Sequence, residues 1–296
     1  MSYKILYLGS DANKLPQGTY YSDWLKAINK LGQVYCYGPG YKTQISQLPK
    51  CFDLIVYSHQ FFDDFSLRKL DYFGLNILRF RKIRSIIFSK NEYKMMFRRF
   101  LLLQITKKSV LVVYTKKTYD KFSKFTKKII WAPFSASEIS IDGPKTKDIC
   151  FRGNLHENFI GKLRSDFIKY CTEKFIDYNN EIYSSKNGEN FLEPVAYKEW
   201  LAQFRFALNT ESAMGIVNPK FAEAMSLGVI NICPVGFYEG LLIEDVHYVT
   251  PKKAQILLSS SDEYDSFLQK YKKKSKEYLA RYSYEKLLIR IIMEKY

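Results

Sequence analysis

Asn218-Pro219-Lys220-Phe221-Ala222-Glu223-Ala224-Met225-Ser226-Leu227-Gly228, followed by Val229-Ile230-Asn231-Ile232-Cys233-Pro234-Val235, is the stretch whose reading decides the fold. Asn218 suits an N-cap, because its side-chain oxygen can accept from the unpaired N–H groups of a first helical turn. Pro219 suits the first helical position, where no N–H is needed. Gly228 stops the helix and turns the chain into the apolar run 229–235, which reads as a strand. Lys220 then lies in the first turn, where a helix N-terminus favours a phosphate. Glu223, three residues on, points from nearly the same face. A carboxylate there can accept both hydroxyls of a ribose. It can equally serve in a capping box, and the segment alone leaves both readings open.

Working upstream, 205–209 reads as a strand and 196–203 as a helix. Residues 144–153 read as a polar lead-in and a strand ending at Gly153, with an amphipathic helix over 159–171. Gly153 allows a close backbone approach, and the next helix N-terminus presents N–H groups to an anion. Arg152 and Arg164 can add charge-assisted bonds to a diphosphate. The same turn can also be a plain connection. With Asn154 and Glu211, the candidates for holding a nucleotide are Arg152, Gly153, Asn154, Arg164, Glu211, Asn218, Lys220 and Glu223.

The first half alternates in the same way. Strands are expected at 3–9, 33–38, 52–59, 83–89, 109–115 and 128–134, with helices over 19–31 and 91–105. Strands alternating with helices imply parallel sheets covered on both faces. The expected architecture is α/β, with two Rossmann-like domains whose parallel sheets face a central cleft. The boundary falls in the linker 134–146. This divides the chain into a basic domain over 1–134, a second domain over 135–280, and a C-terminal helix over 281–296 that packs back on the first.

Charge separates the halves. Residues 1–133 carry 24 Lys and Arg against 8 Asp and Glu, whereas residues 134–296 carry 22 of each, so the whole net charge of +16 lies in the first half. Arg79 to Arg99 holds eight basic residues and one acid, Glu92. A codon bias toward lysine would act on both halves, so a basic face for anionic partners, spanning 79–128, is the preferred reading. The 17% aromatic content, with 24 Tyr and 22 Phe, carries little functional weight beside that. Five scattered cysteines with no Cys-x-x-Cys pair give neither a disulfide framework nor a zinc site, and no metal is expected. No secretory signal and no membrane-length apolar run are visible, so the expected setting is the cytoplasm, with peripheral contact at the inner membrane face.

Lys220 to Gly228 resembles the donor-binding half of GT-B glycosyltransferases, in which a basic residue stands three before a Glu, ahead of a small or apolar stretch and a Gly. The resemblance implies that Lys220 contacts a nucleotide diphosphate and Glu223 a ribose. Trp131-Ala132-Pro133-Phe134 and the run from Lys147 to Arg164 resemble the linker and first donor loop of spore-maturation (CgeB-like) members. Ile86 to Phe100 resembles their N-domain segment. The FALNTES and NPKFAEAMSLGVINICPVG stretches also resemble the donor motif of α1,3-fucosyltransferases, and phage DNA glucosyltransferases share the basic-x-x-Glu arrangement. Gly215 stands where a retaining member often places a second Glu, so a retaining assignment does not transfer.

The function expected is transfer of a sugar from a UDP- or GDP-sugar to an anionic acceptor, a cell-surface glycan, lipid-linked or polysaccharide, with no further cofactor and no metal. Glu92, Asp11 and His59, each at or after a strand end, are the candidate bases, in that order. A phage-type DNA glycosyltransferase and a non-enzymatic nucleic-acid or membrane-surface protein are the alternatives.

Overall fold

The computed structural model describes residues 2–14, 20–61, 81–89, 96–137, 144–153, 155, 159–184, 192–211 and 216–293. The chain forms two compact units. Met1–Leu15, Tyr21–Pro133 and Tyr284–Tyr296 make the first, and Phe134–Ser283 with Pro16–Tyr20 makes the second.

The first unit is built on six parallel strands: β1 (Tyr3–Leu8), β2 (Gly32–Tyr37), β3 (Leu54–Tyr57), β4 (Arg84–Phe88), β5 (Ser109–Val113) and β6 (Ile129–Trp131). Their order is β2-β1-β3-β4-β5-β6. Every residue of β3 and β5 is buried, as expected of strands covered on both faces. Helix α1 (Tyr20–Asn29) follows β1, α2 (Met96–Ile105) joins β4 to β5, and α3 (Lys116–Phe122) joins β5 to β6. Leu102 and Leu103 of α2 pack on Ile55, Ile87, Leu111 and Val113. The strand order reverses between β1 and β3, which brings Gly9-Ser10-Asp11 and Ser58-His59 to neighbouring strand ends. Only glycine fits at position 9: its φ is +149°, and a Cβ there would lie 1.7 Å from Ser58 Oγ.

The second unit has four parallel strands: β7 (Lys147–Gly153), β8 (Asn180–Ser184), β9 (Phe204–Leu208) and β10 (Ile230–Ile232), in the order β10-β9-β7-β8. Its helices are α4 (Phe159–Lys174), α5 (Pro194–Ala202), α6 (Pro219–Ser226), α7 (Pro251–Ser259) and α8 (Ser261–Arg281). A buried chain of hydrogen bonds ties α8 to the sheet. Tyr271 donates to the Val229 carbonyl at 2.9 Å, and Asn231 Nδ2 donates to the Tyr271 hydroxyl at 3.0 Å.

A last helix, α9 (Tyr284–Met293), groups with the first unit. Tyr284 stacks on Trp24 with ring centroids 4.2 Å apart. Lys30 pairs with Glu285, and Arg84 donates to the Ile292 carbonyl.

Candidate functional site

The site grows from the start of α6. Asn218 is extended (φ −82°, ψ 163°), its Oδ1 accepts from Lys220 N at 2.9 Å, and Pro219 is the first helical residue. The other end of the Asn218 amide donates to the Thr210 carbonyl at 2.7 Å, which ties the loop after β9 to the helix. The far end of α6 closes as a Schellman motif: Gly228 N bonds Met225 O and Val229 N bonds Ala224 O. Gly228 has φ +61°, which glycine adopts without strain.

This cap decides one ambiguity. A capping box needs its acid at the third helical residue, which here is Phe221. Glu223 is the fifth. It is 2% exposed and hydrogen-bonded to the Tyr197 hydroxyl from α5. Burial, and then the charge of Glu223, pushes the Tyr197 phenol well above its ordinary range.

Lys220 reaches back across the end of β7. Its ammonium donates to the Arg152 carbonyl and occupies the space beside Gly153, where a Cβ would lie 2.8 Å from Nζ. Burial, and then the positive charge of Arg164, lowers the Lys220 pKa to about 8. Arg164, from α4, donates through Nε to Thr210 Oγ1 at 3.1 Å, and burial lowers its pKa too. Thr210 therefore joins Asn218 and Arg164 from the same loop. Together these make a cationic patch beside a helix N-terminus, at the C-terminal ends of parallel strands. Such a patch stabilises an anion, or negative charge that develops during a reaction.

Other expected residues are placed differently. The Arg152 guanidinium packs against the rings of Tyr183 and Trp200, 4.6 and 4.7 Å from their centroids. Trp200 is itself fixed by Nε1 donating to Glu181 at 2.7 Å. The guanidinium is thus part of an aromatic clamp, and what Arg152 gives the patch is its carbonyl. Glu211 accepts from the Tyr238 backbone N–H, and burial raises its pKa. It anchors a loop in which Tyr238 and Glu239 take φ values of 47° and 54°. Asn154, Gly215 and Glu92 lie outside the described residues.

In the first unit, Asp11 follows β1. Its Oδ1 accepts from Asn13 N at 3.1 Å, and its Oδ2 lies 3.9 Å from Lys14 Nζ. His59 is 1% exposed. Its ring stacks on Phe88 at 4.6 Å, meets Tyr21 edge-on, and shares a hydrogen bond with the Tyr114 hydroxyl. An imidazole so enclosed does not present a nitrogen to solvent. Among the described residues no group of His, Cys, Asp or Glu could hold a metal ion, and no helix is long and apolar enough to cross a membrane.

Two units built on parallel sheets, with a helix N-terminus at the strand ends of the second, match the GT-B fold of glycosyltransferases. No family model and no curated protein sequence matches this chain. Solved structures do. The DNA-modifying enzyme β-glucosyltransferase, determined with and without uridine diphosphoglucose, is 12% identical, covers 98% of this chain and 99% of its own, and has a TM-score of 0.58. HepE of Anabaena, in complex with UDP-glucose, is 10% identical over 98% of each chain, with a TM-score of 0.56. TarM of S. aureus, in complex with UDP, is 12% identical over 81% of this chain and 55% of its own, with a TM-score of 0.52. At such identities the likeness is one of fold.

Proposed function

We propose that this chain is a glycosyltransferase that takes a sugar from a nucleoside-diphosphate sugar, UDP- or GDP-linked, and delivers it to an anionic acceptor. One observation carries the reading: Lys220 stands beside Arg164 at the start of α6, one turn before a buried Glu223 on the same helix. The diphosphate lies against Lys220, Arg164 and the helix N-terminus, which take up the charge of the leaving nucleotide without calling on a metal. Glu223, oriented by Tyr197, accepts the ribose hydroxyls. The sequence likeness to the spore-maturation (CgeB-like) type supports the same assignment. The acceptor proton passes to a carboxylate of the first unit, Glu92 or Asp11, since His59 is enclosed.

The acceptor has two readings. The excess of positive charge in residues 1–133 supports a phosphorylated or acidic glycan, free or lipid-linked. The full-length likeness in fold to a DNA-modifying enzyme supports duplex DNA carrying a hydroxyl-bearing base. Calorimetric titration with UDP, GDP and inorganic pyrophosphate tests the donor site. Lys220→Ala should weaken all three by roughly 10- to 100-fold, as loss of a charge-assisted bond does. Glu223→Gln should weaken the nucleotides and spare pyrophosphate. A protein that binds no nucleotide, or whose Lys220→Ala variant binds like wild type, would overturn the reading. Transfer assays in EDTA, offering hydroxylated duplex DNA or acidic glycans, separate the two acceptors.

A further inference from the structure

Helix α2 turns an apolar face outward. Phe97, Leu101 and Ile105, spaced at i, i+4 and i+8, lie in one stripe and are 79%, 44% and 37% exposed. Arg99, Leu102 and Leu103 on the opposite side are buried, so the helix is packed in the usual way on its inner face. The stripe is therefore surplus to folding. Helix α3 lies alongside, with Phe100 and Phe122 in ring contact at 5.9 Å. Just beyond α3, Phe125 is 75% exposed. Exposed basic side chains flank these positions along the chain: Arg98 on α2, Lys107 and Lys108 after it, and Lys121, Lys124 and Lys127 on and after α3, with Asp120 the exposed acid among them, paired to Lys116.

We infer that this face docks on an anionic lipid bilayer, with Phe97, Leu101 and Phe125 entering the headgroup boundary and the lysines meeting acidic headgroups. The pairing of an apolar stripe with basic flanks is what such a surface uses. Duplex DNA would engage the lysines but leave three large apolar side chains in water against phosphates. A second copy would cover the stripe but oppose like charges across the contact. Only the bilayer satisfies both features. The inference stands on the first unit alone and does not depend on the donor site.

The test is co-sedimentation of the full chain with vesicles of phosphatidylcholine alone, or of phosphatidylcholine mixed with phosphatidylglycerol. Wild type should pellet with the mixed vesicles and stay in solution with the neutral ones. Phe97→Ser/Leu101→Ser and Lys121→Glu/Lys124→Glu should each weaken binding about tenfold or more, with unchanged circular dichroism. Phe97→Ser alone, at the most exposed position, replaces the first variant should that one not fold. The inference is overturned by no binding to mixed vesicles or by equal binding of the apolar variant. Self-association in the ultracentrifuge, or retention on duplex DNA, that is lost with the same apolar substitutions would overturn it too.

Discussion

Lys220 carries its charge where charge is disfavoured. It is half-buried, and Arg164 adds a like charge, so its pKa falls to about 8 from an ordinary 10.5. Between those values the unfolded chain holds the proton more tightly than the folded one. The protonated side chain therefore opposes folding below about pH 8, and that opposition is relieved as pH rises toward 10.5. On the proposed function, a bound diphosphate reverses the balance and draws the proton back. Just above pH 8, UDP binding should take up a proton in wild type and none in Lys220→Arg, whose guanidinium stays charged. Titrations in two buffers of different ionisation enthalpy read this directly, and equal heats for wild type would sink the argument. Lys145, also lowered to about 8, donates to the carbonyls of Ala202 and Leu227 and is common to both proteins. The cap residues and Lys220 were legible in the sequence, because capping is chemistry between near neighbours. The surroundings of Arg152, Glu211 and His59 were not. Their partners, Trp200, Tyr238 and Tyr114, come from distant parts of the chain, and only packing brings them together.

Helix α6 links the loop after β9 to the patch. Asn218 holds both ends: its oxygen caps the first turn and its amide nitrogen holds Thr210, which receives the Arg164 bond. Asn218→Ala should cost about 1 kcal/mol of stability, typical of a lost N-cap, and weaken UDP several-fold, while Asn218→Ser keeps most of the stability. Urea unfolding compares them, and an alanine variant as stable as the serine one would refute the capping role. The same local logic explains which elements could be read beforehand. The apolar runs at β1, β3, β4 and β5 and the Asn-Pro and Gly boundaries of α6 declare themselves. Strand β8 does not: Asn180-Glu181-Ile182-Tyr183-Ser184 is a half-exposed edge strand with no apolar run to mark it. The C-terminal region beyond α7 holds two helices: α8, started by the extended backbone and hydroxyl of Ser260, and α9. Helix α7 went unread, because its cap, Thr250, sits at the end of an apolar run that suggests only a strand.

At the scale of the molecule, the chain returns at its end to the unit it began with. Tyr284, Leu287, Leu288 and Ile291 of α9 are buried. The stack of Tyr284 on Trp24 makes the tryptophan, 1% exposed, a reporter for the helix. Each such side chain contributes roughly 1.5–3 kcal/mol by its burial, so α9 is worth several kcal/mol to the first unit. None of the residues proposed to hold the donor belongs to that unit: Arg152, Arg164, Thr210, Lys220 and Glu223 all fall within Phe134–Ser283. A chain ending at Ser283 should therefore lose stability unevenly. Trp24 emission should shift red, and the transition it reports should move to lower urea. UDP affinity measured below that transition should stay within about twofold, since units with separate cores need not unfold together. If nucleotide affinity fell in step with the Trp24 signal, the two units would be one cooperative body, and the assignment of donor binding to the second alone would fail.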